Sequence, residues 1–149
     1  GRLFEAAART GAILAKSNNT YINNMSASAK NLGILFQIRD DLLDYSINLK
    51  TGKPSYQDLR EGKVTYPFFF AYKNANKKEQ KQLRNLLGNK KLNQINTSQL
   101  ISRLDGINKT NELATKYHQE TIKYAKKINK LGIKKEMIEL ANIAINRDK

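Results

Sequence analysis

The sequence predicts an all-α fold, a helical bundle read as one segment over residues 1–149. Apolar residues recur at three- and four-residue spacing along most of the chain, no stretch shows the period-two alternation of a half-buried strand, and turn residues concentrate in one place. A first helix is expected over 3–16, alanine-rich, with Leu3, Phe4, Ala7, Ala8, Gly11 and Leu14 on helical spacing; Ser17-Asn18-Asn19 breaks it. A long helix follows from about 21 to 47, turning Leu32, Leu35, Phe36, Leu42 and Leu43 inward. Residues 48–63 hold Gly52, Pro54 and Gly62 and read as a loop. Pro67 suits the first turn of the next helix, with Phe68, Phe69 and Phe70 behind it. Shorter helices are expected over 77–87 and 97–104, with Gly88 and Gly106 as stops. The stripe Leu113, Tyr117, Tyr124, Ile128, Leu131 predicts a helix over 109–131 ended by Gly132, and Met137, Ala141 and Ile145 line a last helix from 133. No internal repeat or linker divides the segment.

Composition removes several chemistries. The chain has no cysteine, which excludes disulfides, thiolate metal sites and cysteine nucleophiles, and its single histidine, His118, excludes histidine-rich metal centres. No apolar run approaches the roughly 18–20 residues that span a bilayer, and no basic-then-apolar leader follows Gly1, so a cytoplasmic protein without a transmembrane segment is expected. The formal charge is +14, and it is lopsided: residues 1–68 carry nine basic and six acidic side chains, residues 69–149 eighteen and seven. Such a field can attract nucleic acid or phosphorylated ligands. The excess is mostly lysine among frequent asparagines, which reads as a solvated surface, and no nucleic-acid partner is expected.

The strongest chemical signal is Asp40-Asp41-Leu42-Leu43-Asp44. On a helix Asp40 and Asp44 stand one turn apart, their Cβ atoms about 6 Å from each other. Three close carboxylates near a helix C-terminus, where the dipole is already negative, repel one another. A hard cation relieves that repulsion, and one or two carboxylates completed by water and phosphate oxygens are what Mg2+ takes. The alternative is an exposed acidic turn neutralised by Arg39 and Lys50. The next stretch favours the cation: Gly52-Lys53 and Asp58-Leu59-Arg60-Glu61-Gly62-Lys63 put two lysines and a further aspartate on a glycine-bearing loop. Lysine serves phosphate as a point charge. Acid cluster and basic loop together read as a magnesium–diphosphate site.

These strings resemble a known family, the trans-isoprenyl diphosphate synthases or polyprenyl synthetases. The resemblance rests on FQIRDDLLDY over 36–45, on GKPSYQDLREGKVTYP over 52–67, and on the opening GRLFEAA. It is sharp over residues 1–72 and looser beyond. It implies the C-terminal half of the isoprenoid synthase fold, with Asp40, Asp41 and Asp44 as the second aspartate-rich motif and Asp40 as the principal Mg2+ ligand. Lys53 would bind the allylic diphosphate, Asp58 would join the outer shell of the metal with Lys63 beside it, and Phe36 and Gln37 would border isopentenyl diphosphate. The basic end from Arg147 to Lys149 would approach the same substrate. Gln57 departs from the pattern, standing where many long-chain members carry an aspartate. The family's first aspartate-rich motif would precede Gly1, so the chain is expected to be incomplete and inactive alone.

By the same resemblance the reaction is prenyl transfer. An allylic diphosphate ionises with Mg2+ assistance, the double bond of isopentenyl diphosphate attacks the allylic carbon, and a proton is lost. The full enzyme would be a homodimer. Tyr45, Phe36 and Phe68, Phe69 and Phe70 could shield the cation from water, although packing is the simpler role for the three phenylalanines. Two other readings stand beside this one: a non-catalytic subunit or fragment of a heteromeric prenyl synthase, and a basic helical nucleic-acid-binding module. His118 has no visible catalytic partner and reads as structural.

Overall fold

The computed structural model describes residues 1–46 and 55–147, which hold eight α-helices and no strand. Two compact units emerge, one from the described residues of Gly1–Arg39 and Leu113–Lys149, the other from those of Asp40–Glu112. Among the described residues no helix is long and apolar enough to cross a membrane.

The first unit contains α1 (Arg2–Leu14), most of α2 (Asn19–Asp44), the later part of α7 (Gly106–Ala125) and α8 (Leu131–Ile145). The Ser17-Asn18-Asn19 break falls where expected. Lys16 turns the chain out of α1 at φ +51°, and the Asn18 side chain accepts the Tyr21 N–H at 2.9 Å to begin α2. Leu32, Leu35, Ile38, Ala114, Ala125, Ile128, Met137 and Ala141 are buried. Ser28 Oγ donates to the Thr121 carbonyl at 3.0 Å, joining α2 to α7. His118 Nε2 lies 2.9 Å from Asn142 Oδ1 and joins α7 to α8, a structural role.

Helix α1 approaches α2 closely at Gly33, where a Cβ would sit 2.9 Å from both Gly1 Cα and the Phe4 ring. Leu3 and Leu14, on the helical spacing of α1, are 80% and 77% exposed, while Ala12 is buried and Phe4 meets Phe36. Helix α7 ends six residues earlier than its stripe suggests. The bonds Lys127 N–H to Tyr124 O and Ile128 N–H to Ala125 O tighten its last turn, and this still buries Ile128 completely. Leu131 is exposed and opens α8, so Gly132 lies inside that helix instead of stopping the one before.

The second unit holds α3 (Gln57–Arg60), α4 (Tyr66–Asn74), α5 (Lys77–Arg84) and α6 (Gln94–Arg103), with α4 packed on α5 and α6. Its core is Tyr45, Tyr56, Leu59, Phe68, Ala71, Leu83, Leu92, Ile101 and Leu104. Pro67 does lie in the first turn of α4, which buries Phe68 but leaves Phe69 half exposed. Asn76 and Glu79 form a reciprocal capping box at the start of α5, and Glu79 also takes an ion pair from Arg103 of α6 at 2.6 Å.

Two sequence expectations change in this unit. The stretch 48–63 contains a one-turn helix, α3. Its end is a Schellman turn: Lys63 N–H reaches Asp58 O at 2.8 Å and Gly62 N–H reaches Leu59 O at 3.0 Å, with Gly62 at φ +77°. Gly106 opens α7; the break before it is made by Asp105 at φ +62°. What Gly106 supplies is room, since a Cβ there would strike the Pro67 carbonyl oxygen, with Ile101 and Ala71 close behind. Gly106→Ala should therefore destabilise this unit by about 1–3 kcal/mol through overpacking. Urea denaturation of the variant checks this, and an unchanged midpoint would mean that the contact relaxes freely.

Candidate functional site

The carboxylates of the acidic motif stand at the C-terminal end of α2, and two of them hold backbone. Asp44 Oδ1 accepts the Gln57 N–H at 2.8 Å and Asp44 Oδ2 the Asp58 N–H at 3.1 Å, so one side chain satisfies two of the orphan donors at the start of α3. Asp41 Oδ2 accepts the N–H of Tyr66, the first residue of α4, at 3.1 Å. Asp41 is only 6% exposed, and a charge this buried needs such donors. Both contacts also set an anion at the positive end of a helix. Asp40, one turn before Asp44, is half-buried.

Between these anchors Tyr45 is buried, its hydroxyl 2.7 Å from Thr65 Oγ1 and its ring edge-on to Tyr56 at 5.3 Å. Burial pushes its hydroxyl far above the ordinary phenol range, and the charges of Asp44, Asp41 and Asp58 push the same way. Tyr45 therefore stays neutral beside the carboxylates, a packing and hydrogen-bonding residue and not a bare aromatic wall. For Asp44 itself burial is the largest influence and raises its carboxyl above the ordinary value; the Gln57 and Asp58 N–H bonds lower it in part, the Asp58 charge raises it, and Arg60 lowers it.

Asp58 and Lys63 are brought together as expected, Lys63 Nζ lying 3.3 Å from Asp58 Oδ1 and 2.6 Å from a Glu61 carboxylate oxygen. Lys63 is largely exposed, and exposed ion pairs of this kind are weak enough to exchange for a phosphate oxygen. Arg60, on α3, keeps a buried Nε–H with no hydrogen-bond partner among the described residues. Lys53 lies outside the described residues. Carboxylate oxygens are the donor type that a hard cation takes. Among the described residues no three acidic side chains come together as a group that could hold a metal ion.

Phe36, Gln37 and Arg147 belong to the first unit. The Arg147 guanidinium lies 4.5 Å from the centre of the Phe36 ring, and its backbone carbonyl accepts a bond from Arg39 Nη2 at 2.8 Å. Phe36 also meets Phe4, ring centres 6.0 Å apart. Gln37 is exposed. No sequence pattern announces these links, nor the one between Asp41 and Tyr66 across 25 residues. The helix start at Thr65-Tyr66-Pro67 is a local signal consistent with an anion there, since a helix N-terminus is the positive end.

Comparison with known proteins defines the class. The geranylgeranyl pyrophosphate synthetase of Pyrococcus horikoshii matches with a TM-score of 0.87 over 97% of this chain and 45% of its own, at 28% identity. A decaprenyl diphosphate synthase of Rhodobacter capsulatus shares the fold, with a TM-score of 0.87 over 99% of the chain and 46% of its own at 24% identity. The architecture is thus that of the all-α isoprenoid synthases. The geranylgeranyl diphosphate synthase of Saccharolobus solfataricus is 35% identical over 99% of this chain and 46% of its own length. Residues 1–104 match the polyprenyl synthetase family, and the chain belongs to it. It spans less than half the length of these relatives.

One pH dependence follows. Without metal, Asp44 should titrate above the ordinary 3.8, because burial outweighs its two N–H bonds. Between 3.8 and that midpoint the folded chain binds more protons than the unfolded one, so this carboxyl removes stability as the pH rises through the window. Side-chain 13C NMR titration reads the midpoint directly, and Asp44→Asn should abolish the accompanying fall in stability. A midpoint at or below 3.8 would contradict the assigned burial.

Proposed function

We propose that this chain supplies the second aspartate-rich, diphosphate-binding side of a trans-prenyltransferase that condenses isopentenyl diphosphate with an allylic diphosphate. The observation that carries the reading is the row Asp40, Asp41, Asp44 at the end of α2 with Asp58 and Lys63 tied to it through the backbone of α3. Oxygen donors for a cation and an exchangeable ammonium for phosphate then stand on one short stretch of structure. Family membership supports the same reading, and neither a non-catalytic subunit nor a nucleic-acid module is favoured by the relatives.

Asp40 is assigned as the principal Mg2+ ligand, with Asp41, Asp44 and Asp58 in or around the same shell. Bound Mg2+ supplies Lewis-acid stabilisation of the negative charge on the departing diphosphate. The chain's own residues do the rest. Lys63 leaves Asp58 or Glu61 and takes a phosphate oxygen, and Lys53 is assigned to the allylic diphosphate. Asp41 and Asp44 keep the backbone of α3 and α4 in register while substrate charge enters. Phe36 and Gln37 are assigned to isopentenyl diphosphate, with Arg147 already stacked on Phe36. In the reaction the allylic carbon–oxygen bond breaks, a carbon–carbon bond forms to the terminal carbon of the isopentenyl unit, and that unit loses a proton. Preorganised charge and positioning account for the rate. The working assembly is taken to be a homodimer.

The test is incorporation of isopentenyl diphosphate into an allylic diphosphate, with Mg2+, by the gene product that carries residues 1–149. Asp40→Ala should lower turnover by at least about a hundredfold, in line with the loss of an electrostatic stabiliser, while helix content by circular dichroism stays the same. Turnover within a few-fold of the parent would remove Asp40 from the metal site.

A further inference from the structure

We propose that Asp44 is a positioning residue, its carboxylate fixing the backbone of residues 55–60 to the end of α2 and so setting where Asp58, Arg60 and Lys63 stand. The claim rests on the proposed function only for what those three residues then meet. Both Asp44 oxygens are engaged, one by Gln57 N–H and one by Asp58 N–H. The Asp44 backbone carbonyl takes a third bond, from Tyr56 N–H at 2.7 Å. Beside it Ser55 Oγ donates to Ser46 O, also at 2.7 Å.

A strained residue sits at the centre of this grip. Tyr56 has φ +63° and ψ +32°, the left-handed region that a bulky side chain enters only when its surroundings impose it. Tyr56 is 1% exposed and its ring stacks edge-on against Tyr45, so packing and hydrogen bonds both enforce the turn. The helix that follows has four residues and is too short to persist by itself. Its far end is closed by the Gly62 Schellman turn and its near end by Asp44. Asp58, Arg60 and Lys63 all depend on that short element for their placement.

A carboxylate is the side chain that can accept from two neighbouring amides at once. Asparagine keeps one acceptor oxygen and turns a donor toward the other amide, so it should hold one bond of the two. Alanine holds neither. A ligand role alone predicts something different: a changed Mg2+ requirement with α3 left undisturbed.

The experiment compares Asp44→Ala, Asp44→Asn and Asp40→Ala with the parent, in the gene product that carries residues 1–149. Hydrogen exchange is read at the Gln57 and Asp58 amides by NMR, and binding of inorganic diphosphate by calorimetry across a Mg2+ series. Asp44→Ala should speed exchange at both amides about tenfold and weaken diphosphate binding about tenfold at saturating Mg2+, the scale of losing charge-assisted hydrogen bonds. Asp44→Asn should fall between, and so keeps the test alive if the alanine variant does not fold. Asp40→Ala should leave both amides as protected as in the parent. Unchanged protection in both Asp44 variants overturns the proposal. So does lost protection with full diphosphate affinity, or an altered Mg2+ requirement with protection intact. If the parent binds no diphosphate, the functional reading fails, while the exchange rates still decide the role of Asp44.

Discussion

A buried carboxylate must find donors, and the crowding of Asp40, Asp41 and Asp44 within about one helical turn sends the bonds of Asp41 and Asp44 in different directions. That constraint organises the end of α2. Left as an acidic C-terminus, the motif would combine mutual repulsion, an unfavourable helix dipole and the desolvation of Asp41. The chain answers with its own backbone: amides of Gln57 and Asp58 for Asp44, and the amide of Tyr66 for Asp41. Each aspartate thereby becomes the starting point of another helix.

The rest of the second unit follows from that arrangement. With α3 and α4 started from the end of α2, Leu59 and Phe68 are delivered into one core with Tyr45, Leu83 and Ile101. Gly106 must be small because α7 begins directly against Pro67 at the top of α4. The same short element, α3, sets Lys63 3.3 Å from Asp58. Asp41 and Asp44 of the acidic motif are helix anchors, and in the proposed function Asp40 is the principal oxygen donor to the metal.

Much of this was legible in the sequence because the signals were local. Helical spacing, the Ser17-Asn18-Asn19 break, Pro67 at a helix start and the motif strings all act within a few residues, and the helices they imply are present. The pairing of Asp58 with Lys63 is local too, five residues apart around one glycine turn. What could not be read was long-range. Asp44 reaches Gln57 and Asp58 across the intervening segment, Asp41 reaches Tyr66, and Arg147 returns to Phe36 from the far end of the chain. The left-handed Tyr56 was invisible for the same reason, since its conformation is imposed by Tyr45 and Asp44 and opposes its own preference. Leu3 and Leu14 show a related limit: apolar spacing marks a face but does not say that anything covers it.

The central claim is a division of labour within the motif, in which Asp41 and Asp44 hold backbone and Asp40 meets the metal-bound diphosphate. Carboxylate 13C NMR, followed as Mg2+ and inorganic diphosphate are added together, tests it most directly. The account predicts a large shift at the Asp40 carboxyl and small ones at Asp41 and Asp44, with the Gln57, Asp58 and Tyr66 amide signals in place. Comparable shifts at all three carboxyls, accompanied by displacement of those amide signals, would contradict it.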